Sequence, residues 1–239
     1  MEAAGLTPVP WTPRTTFWWL LGGLLLAIIV PPLVVAPFDP DLDSDGALLA
    51  AQAIFDGLLL CVAVGVASDW KFRPLAGPLR LLGLRPFRLK AIWIMLATLV
   101  AYYIAAGLFA SLVLKPDQED IGGELGVGNP SIVIAVLAVV MIVGLAPIAE
   151  ELFFRGVALN AWAREYGVRR AIVLSALLFA LIHASLAAFV PIFVLGLALA
   201  VIYRRSGNLA SSIALHATFN GISVLLALLV RFGVLQLPT

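Results

Sequence analysis

The chain has 239 residues, of which 62% are hydrophobic and 12% charged, with a formal net charge of +1. Soluble domains carry about 25% charged residues, so this chain lacks the polar side chains to cover a globule of its size. That excludes an ordinary soluble enzyme and a disordered chain, and the near-neutral balance offers no basic field for nucleic acid.

What remains is an all-α, polytopic transmembrane helical bundle whose surplus apolar surface meets membrane lipid. A crossing helix needs about 20 mostly apolar residues. Seven stretches qualify: 17–38, 46–68, 91–114, 131–154, 171–187, 188–203 and 209–230. The first is too long for the apolar core of a signal peptide, and Pro37 stands where cleavage would fall, so it reads as an uncleaved span. The fifth and sixth are short and nearly contiguous. Segment 183–191 holds their turn, with Pro191 opening the next helix; one long kinked helix is the alternative. No internal repeat and no separate soluble domain interrupts the series, so 1–239 reads as a single integral-membrane domain.

The lone cysteine, Cys61, cannot form an intrachain disulfide or a Cys-based zinc site, and it reads as a small core residue. The chain ends carry no prenylation box and no myristoylation signal.

Basic residues set the orientation, because Lys and Arg gather in cytoplasmic loops. Arg14 precedes the first span. Lys71, Arg73, Arg80, Arg85, Arg88 and Lys90 follow the second, Arg155, Arg164, Arg169 and Arg170 the fourth, and Arg204 and Arg205 the sixth. These make 13 of the 15 basic residues, and only Lys115 and Arg231 fall on the other side. The opposite loops hold Asp39, Asp41, Asp43 and Asp45, then Asp117, Glu119, Asp120 and Glu124. Seven spans with a cytoplasmic N-terminus, in a plasma membrane, fit this alternation. Trp18, Trp19, Trp70, Trp93 and Trp162 stand near the expected cytoplasmic ends, as interfacial anchors do.

An ionisable residue inside a span costs at least ~2.5–3.5 kcal/mol, so each one asks for a reason. Asp56 in the second span reads as pairing with another helix or sitting in a small water pocket. The fourth span ends in Pro147-Ile-Ala-Glu150-Glu151-Leu-Phe-Phe-Arg155-Gly156. The fifth carries Phe179-Ala-Leu-Ile-His183, and the seventh His216-Ala-Thr-Phe-Asn220. The two histidines are the only ones in the chain, and both lie in spans.

Glu151 and Arg155 stand at i, i+4 with the acid first, the better order for a helix pair. Glu150 is turned about 100° away and can meet a different neighbour. His216 and Asn220, also at i, i+4, can aim at one point. Pro147 removes a backbone donor and frees the Val143 carbonyl, loosening the helix just before the acids. At ~1.5 Å per residue, Glu150 lies about 7 Å, His216 about 10 Å and His183 about 18 Å inside the cytoplasmic boundary. They can meet in the cytoplasmic half of the bilayer.

A buried carboxylate suits Glu150 to general-base work. A histidine beside it can share the proton and position water. Donors on His216 and Asn220, converging on one point, are what a developing oxyanion needs. Together they outline peptide or ester hydrolysis. Glu150, His183 and His216 also make up the one-carboxylate, two-imidazole set of a catalytic zinc centre. No His-Glu-x-x-His helix is present, and the residues alone do not choose between the two. No serine elbow of the Gly-x-Ser-x-Gly type appears, so Ser175, Ser185 and Ser223 read as helix-packing residues.

In this order and in successive helices, Glu150-Glu151-x-x-x-Arg155, Phe179-x-x-x-His183 and His216-x-x-x-Asn220 resemble the CPBP family of intramembrane proteases. This is the CAAX protease and bacteriocin-processing family, also called Abi. Ala146-Pro147-Ile148 before the acids and Arg204-Arg205-Ser206-Gly207-Asn208-Leu209 before the third motif agree with it. The likeness spans about 140–225.

It implies a helical membrane core with the active site open toward the cytoplasm. Glu150 and His183 would activate water, and His216 and Asn220 would hold the oxyanion. Glu151 and Arg155 would shape the site. The implied substrate is a membrane-anchored or lipidated protein or peptide. No cofactor is needed in the Glu-based picture, although the family is often labelled metalloprotease and zinc is the alternative. A non-catalytic membrane partner or immunity protein, and an ion-coupled transporter, are the rival functions. The absence of paired halves argues against the transporter.

Overall fold

The structure is a computed structural model, which describes residues 6–39, 44–71, 74–86, 90–113, 131–186, 188–232 and 234. Asp41, Asp43, Arg73, Arg88, Lys115 and the acidic loop of Asp117, Glu119, Asp120 and Glu124 lie outside the described residues. Among the described residues the fold is all helix with no strand. The helices are α1 (Pro13–Val35), α2 (Asp45–Ser68), the short α3 (Ala76–Leu81), α4 (Lys90–Val113), α5 (Ile132–Tyr166), α6 (Val168–Ile182), α7 (Phe189–Ser206) and α8 (Leu209–Arg231).

Local chemistry sets the helix starts. Thr12 and Thr15 form a reciprocal capping box and Pro13 takes the first helical position, which moves the start of α1 four residues ahead of the expected 17. Ser44 Oγ accepts from Ala47 N at 3.1 Å and opens α2. Asn208 Oδ1 accepts from Ala210 N at 3.0 Å and opens α8. Gly207, at φ +63°, ends α7 in the left-handed conformation that glycine adopts without strain.

Among the described residues five helices are long and apolar enough to cross a membrane by length and composition, where seven stretches are expected: α1, α2, α5, α7 and α8. Multiple long apolar helices place the protein in a membrane as a multi-pass bundle in contact with lipid. Of the other two expected spans, α4 is an apolar helix of 24 residues. In α4 the described apolar stretch is Ala91–Ile104. Helix α6 has 15 residues, about 22 Å of rise against a hydrocarbon core of about 30 Å.

The fifth and sixth stretches are two helices rather than one kinked one. The chain breaks at His183 and α7 returns against α6. Gly196 sits so close to Ala176 that an added Cβ would lie 3.0 Å from the Ala176 Cα, the small-residue contact by which membrane helices approach.

The fourth stretch departs most from expectation. It runs on as one 35-residue helix to Tyr166 instead of ending at 154. Arg155, expected in the following loop, is fully buried inside it. Cys61, expected in the core, is exposed on the bundle surface. In lipid an apolar run carries no information about which of its faces is inside. Trp18, Trp19, Trp70 and Trp93 are likewise exposed, while Trp162 is partly buried. Trp19 and Trp70 stack at 4.4 Å across the α1–α2 pair.

Helix α5 is the centre of the bundle, and every residue from Leu152 to Leu159 is buried. The chain ahead of α1 is tied to it. Trp11 Nε1 donates to Val157 O at 3.3 Å, and Arg164 Nη1 donates to Pro10 O at 2.8 Å. Tyr203 of α7 joins the same region, donating to Thr7 Oγ1 at 3.1 Å and accepting from Asn160 Nδ2 at 2.9 Å. Gly83, at φ +93°, lies against that Tyr203 hydroxyl with no room for a side chain.

Candidate active site

The two acids stand on a six-residue α-helical segment, Ala146–Glu151, between two π-helical stretches of α5, Met141–Leu145 and Leu152–Leu159. π-turns inside an α-helix recur at functional sites, and Pro147 explains the first one. In the π register its missing N–H would have paired with the carbonyl five residues back, at Ile142. That carbonyl accepts instead from Asn220 Nδ2 of α8, at 2.7 Å. The carbonyl that Asn220 answers is thus Ile142, one residue before the expected Val143, in keeping with the five-residue step by which Ala146 N–H pairs with Met141 O. The contact also orients the Asn220 amide and leaves it a second N–H.

Glu151 and Arg155 pair as their spacing predicts. Arg155 Nη1 donates to Glu151 Oε1 at 2.7 Å, and both side chains are fully buried. Each end is further satisfied. Arg155 Nη2 donates to Gly196 O at 3.0 Å, and the guanidinium lies 4.5 Å from the centroid of the Phe179 ring, within cation–π range. Glu151 Oε2 accepts from Ser212 Oγ at 2.5 Å. His216 Nδ1 lies 3.3 Å from Glu151 Oε1, within ion-pair distance but not aligned as a hydrogen bond.

Glu150 faces elsewhere. Its Oε2 lies 3.9 Å from His216 Nε2 and has no hydrogen-bond partner. The His216 imidazole therefore stands between two carboxylates, itself buried. His183 caps the end of α6, where its Nδ1 lies 2.7 Å from Phe179 O. With the carbonyl accepting, Nδ1 carries the proton and Nε2 keeps its lone pair. Both histidine rings pack on Phe179, at 4.8 Å for His183 and 5.6 Å for His216.

The structure thus brings Glu150, Glu151, Arg155 and His216 into one buried cluster, with Asn220 one turn along α8 and His183 across the Phe179 ring. Among the described residues no three His, Cys, Asp or Glu side chains are grouped to hold a metal ion.

One participant escapes a reading of the sequence. Ser212, which holds Glu151, was passed over, although 212, 216 and 220 recur every four residues on one face of α8. Asp56 is fully buried and belongs to the helix that packs on the Glu150 segment. Its described partner is Gln52 of its own helix, at 3.1 Å, rather than a group on another helix.

Residues 129–222 match the family described as Rce1-like, the type II CAAX prenyl endopeptidase Rce1-like family. No curated protein and no solved structure matches the chain. An Rce1-like domain is therefore found over part of the chain. It includes all six candidate residues from Glu150 to Asn220, and it supports a protease-like role in general terms.

Proposed function

We propose that the chain is an intramembrane endopeptidase that hydrolyses a peptide bond near the cytoplasmic face of the plasma membrane, with Glu150 as the base. One observation carries this reading. Glu150 is a buried carboxylate with an oxygen that lacks a partner, 3.9 Å from His216 Nε2, inside a segment that matches an endopeptidase family. A gap of that width is too long for a direct hydrogen bond and suits a bridging water.

In the reaction, the water oxygen attacks the carbonyl carbon as Glu150 takes its proton, and Glu150 returns that proton to the leaving amine. His183 offers the Nε2 lone pair to position the water. His216 and the second N–H of Asn220 donate to the oxyanion. Glu151 and Arg155 hold α5 and α8 in register. The substrate is a protein or peptide anchored in the membrane or carrying a lipid chain. The distribution of basic residues supports a cytoplasmic N-terminus and a mouth of the site on the same side.

The test uses purified protein in liposomes with quenched-fluorescence peptides that end in a prenylated cysteine and three further residues. Wild-type protein cleaves them, and Glu150→Ala protein folds normally and does not. Cleavage retained by Glu150→Ala removes Glu150 as the base. Absence of cleavage by the wild type, together with unchanged membrane peptide profiles between wild-type and Glu150→Ala cells, removes the endopeptidase reading.

A further inference from the structure

A cavity of about 520 Å³ lies between α2, α3, α5 and α8, within the ~300–1,000 Å³ typical of small-molecule sites. Leu60 and Val64 of α2, Leu79 of α3, Ile148 and Leu152 of α5 and Ile213 of α8 line it, and every other lining residue is Leu or Ala. No side chain of this lining can hydrogen-bond, so water gains nothing there.

The cavity backs onto the candidate active site without being part of it. Ile148 and Leu152 share one side of α5, and Glu150, two residues from each, is turned about 200° away. Ala210 and Ala214 share one side of α8 in the lining. Ser212, which holds Glu151, is likewise turned away from them.

The helix ends set its depth. Helix α2 ends at Ser68, so Val64 and Leu60 lie about 6 and 12 Å inside that end. That is within one leaflet of a hydrocarbon core about 30 Å thick. Leu75 and Ile148 of the lining are exposed, so the cavity opens at the bundle surface.

The rim is basic. Arg80 follows Leu79 and Arg85 follows Leu84, and both arginines are exposed. Asn208 Oδ1 accepts from Arg85 N at 3.1 Å and from Ala210 N at 3.0 Å, which fixes Arg85 beside the first turn of α8. No ion pair among the described residues takes Arg80 or Arg85. Asp69, which follows α2, is paired with Lys71 at 2.8 Å. The sequence has no acid from Trp70 to Lys90 or from Arg204 to Ala214.

An apolar slot within one leaflet, under a basic rim without acids, fits a hydrocarbon chain that ends in an anion. Basic pockets between membrane helices hold acidic phospholipid headgroups. We propose that the cavity binds one anionic phospholipid, with an acyl chain between α2, α3, α5 and α8 and its phosphate on Arg80 and Arg85. The lipid is a bound component and not a substrate, because Glu150 faces the other way. The site stands whether or not the chain hydrolyses peptides.

The test offers purified full-length protein in detergent dioleoyl phosphatidylglycerol or dioleoyl phosphatidylcholine, and counts bound lipid by native mass spectrometry. One phosphatidylglycerol stays on each chain at concentrations that leave phosphatidylcholine unbound. In Arg80→Gln/Arg85→Gln protein the affinity for phosphatidylglycerol falls ~30-fold. Equal retention of the two lipids by the wild type, or an undiminished preference in the double variant, overturns the proposal. Glycerol phosphate, which has no chain, does not displace the lipid; displacement by it would reduce the site to a phosphate site and overturn the proposal. Phosphatidylglycerol with a photoactivatable diazirine in its acyl chain, supplied at one lipid per chain, locates the chain in the wild type, so this arm needs no variant to fold. Labels fall within 60–64, 148–152 or 210–214. Labels confined to other faces of the bundle overturn the assignment. Displacement of the lipid by a prenylated peptide does so too, since the cavity would then belong to the substrate.

Discussion

Glu150 and Glu151 are neighbours in the chain and opposites in the fold. On the Glu151 side of the helix both carboxylate oxygens are answered, by Arg155 at 2.7 Å and Ser212 at 2.5 Å, with His216 Nδ1 at 3.3 Å, although Arg155 Nε and His216 Nδ1 themselves lack a hydrogen-bond partner. On the Glu150 side the one ion-pair contact described is with His216 Nε2 at 3.9 Å, and one carboxylate oxygen has no hydrogen-bond partner. A rotation of about 100° between consecutive residues is enough to produce this contrast. A saturated buried charge holds structure together. An unsaturated one keeps a lone pair for chemistry, at a cost that the rest of the cluster offsets.

The contrast can be broken from either side. The largest expected effect is the complete loss of hydrolysis in Glu150→Ala, with thermal stability in detergent unchanged or raised, because an unsatisfied buried carboxylate is gone. A fall in stability would place Glu150 with Glu151 as a structural acid. Arg155→Ala should do the reverse, costing about 3–5 kcal/mol by leaving Glu151 buried and unpaired, measured as a loss of folded protein by unfolding in detergent. A folded, stable Arg155→Ala protein would show that Glu151 does not need its partner.

Asn220→Ala probes the oxyanion side and should lower kcat by roughly 10²–10³. An effect confined to KM would leave Asn220 only its structural contact with Ile142. Ser212→Ala removes one neutral donor from Glu151 and should cost about 1–3 kcal/mol of stability, with kcat nearly unchanged. The smallest expected effect is that of a chelator, which should leave turnover intact. An activity that chelation abolishes and zinc restores would return Glu150, His183 and His216 to a metal site.

Much of this site was legible in the sequence. In a chain with 12% charged residues, ionisable groups within apolar runs stand out. The spacing of Glu151 and Arg155 predicted a pair that the structure forms. The order of the three motifs pointed to the same stretch that the family match covers. The limits were equally specific. Hydropathy placed the end of the fourth span at 154, yet α5 runs to Tyr166 because its following turns, Arg155 included, are buried among other helices. Counting apolar stretches suggested seven spans, and among the described residues five helices meet the length and composition of a crossing helix.

The sequence by itself determined that the protein lives in a membrane, that its helices are apolar throughout, and that a few polar residues must meet, because these are properties of composition and local period. Only the tertiary structure decided which acid is answered and which is not. The same holds for the π register that gives Ile142 to Asn220 and for Ser212 as a partner of Glu151. Those contacts join helices far apart in the chain. In lipid, where the surroundings are as apolar as the core, hydropathy carries no record of which face of a helix looks inward.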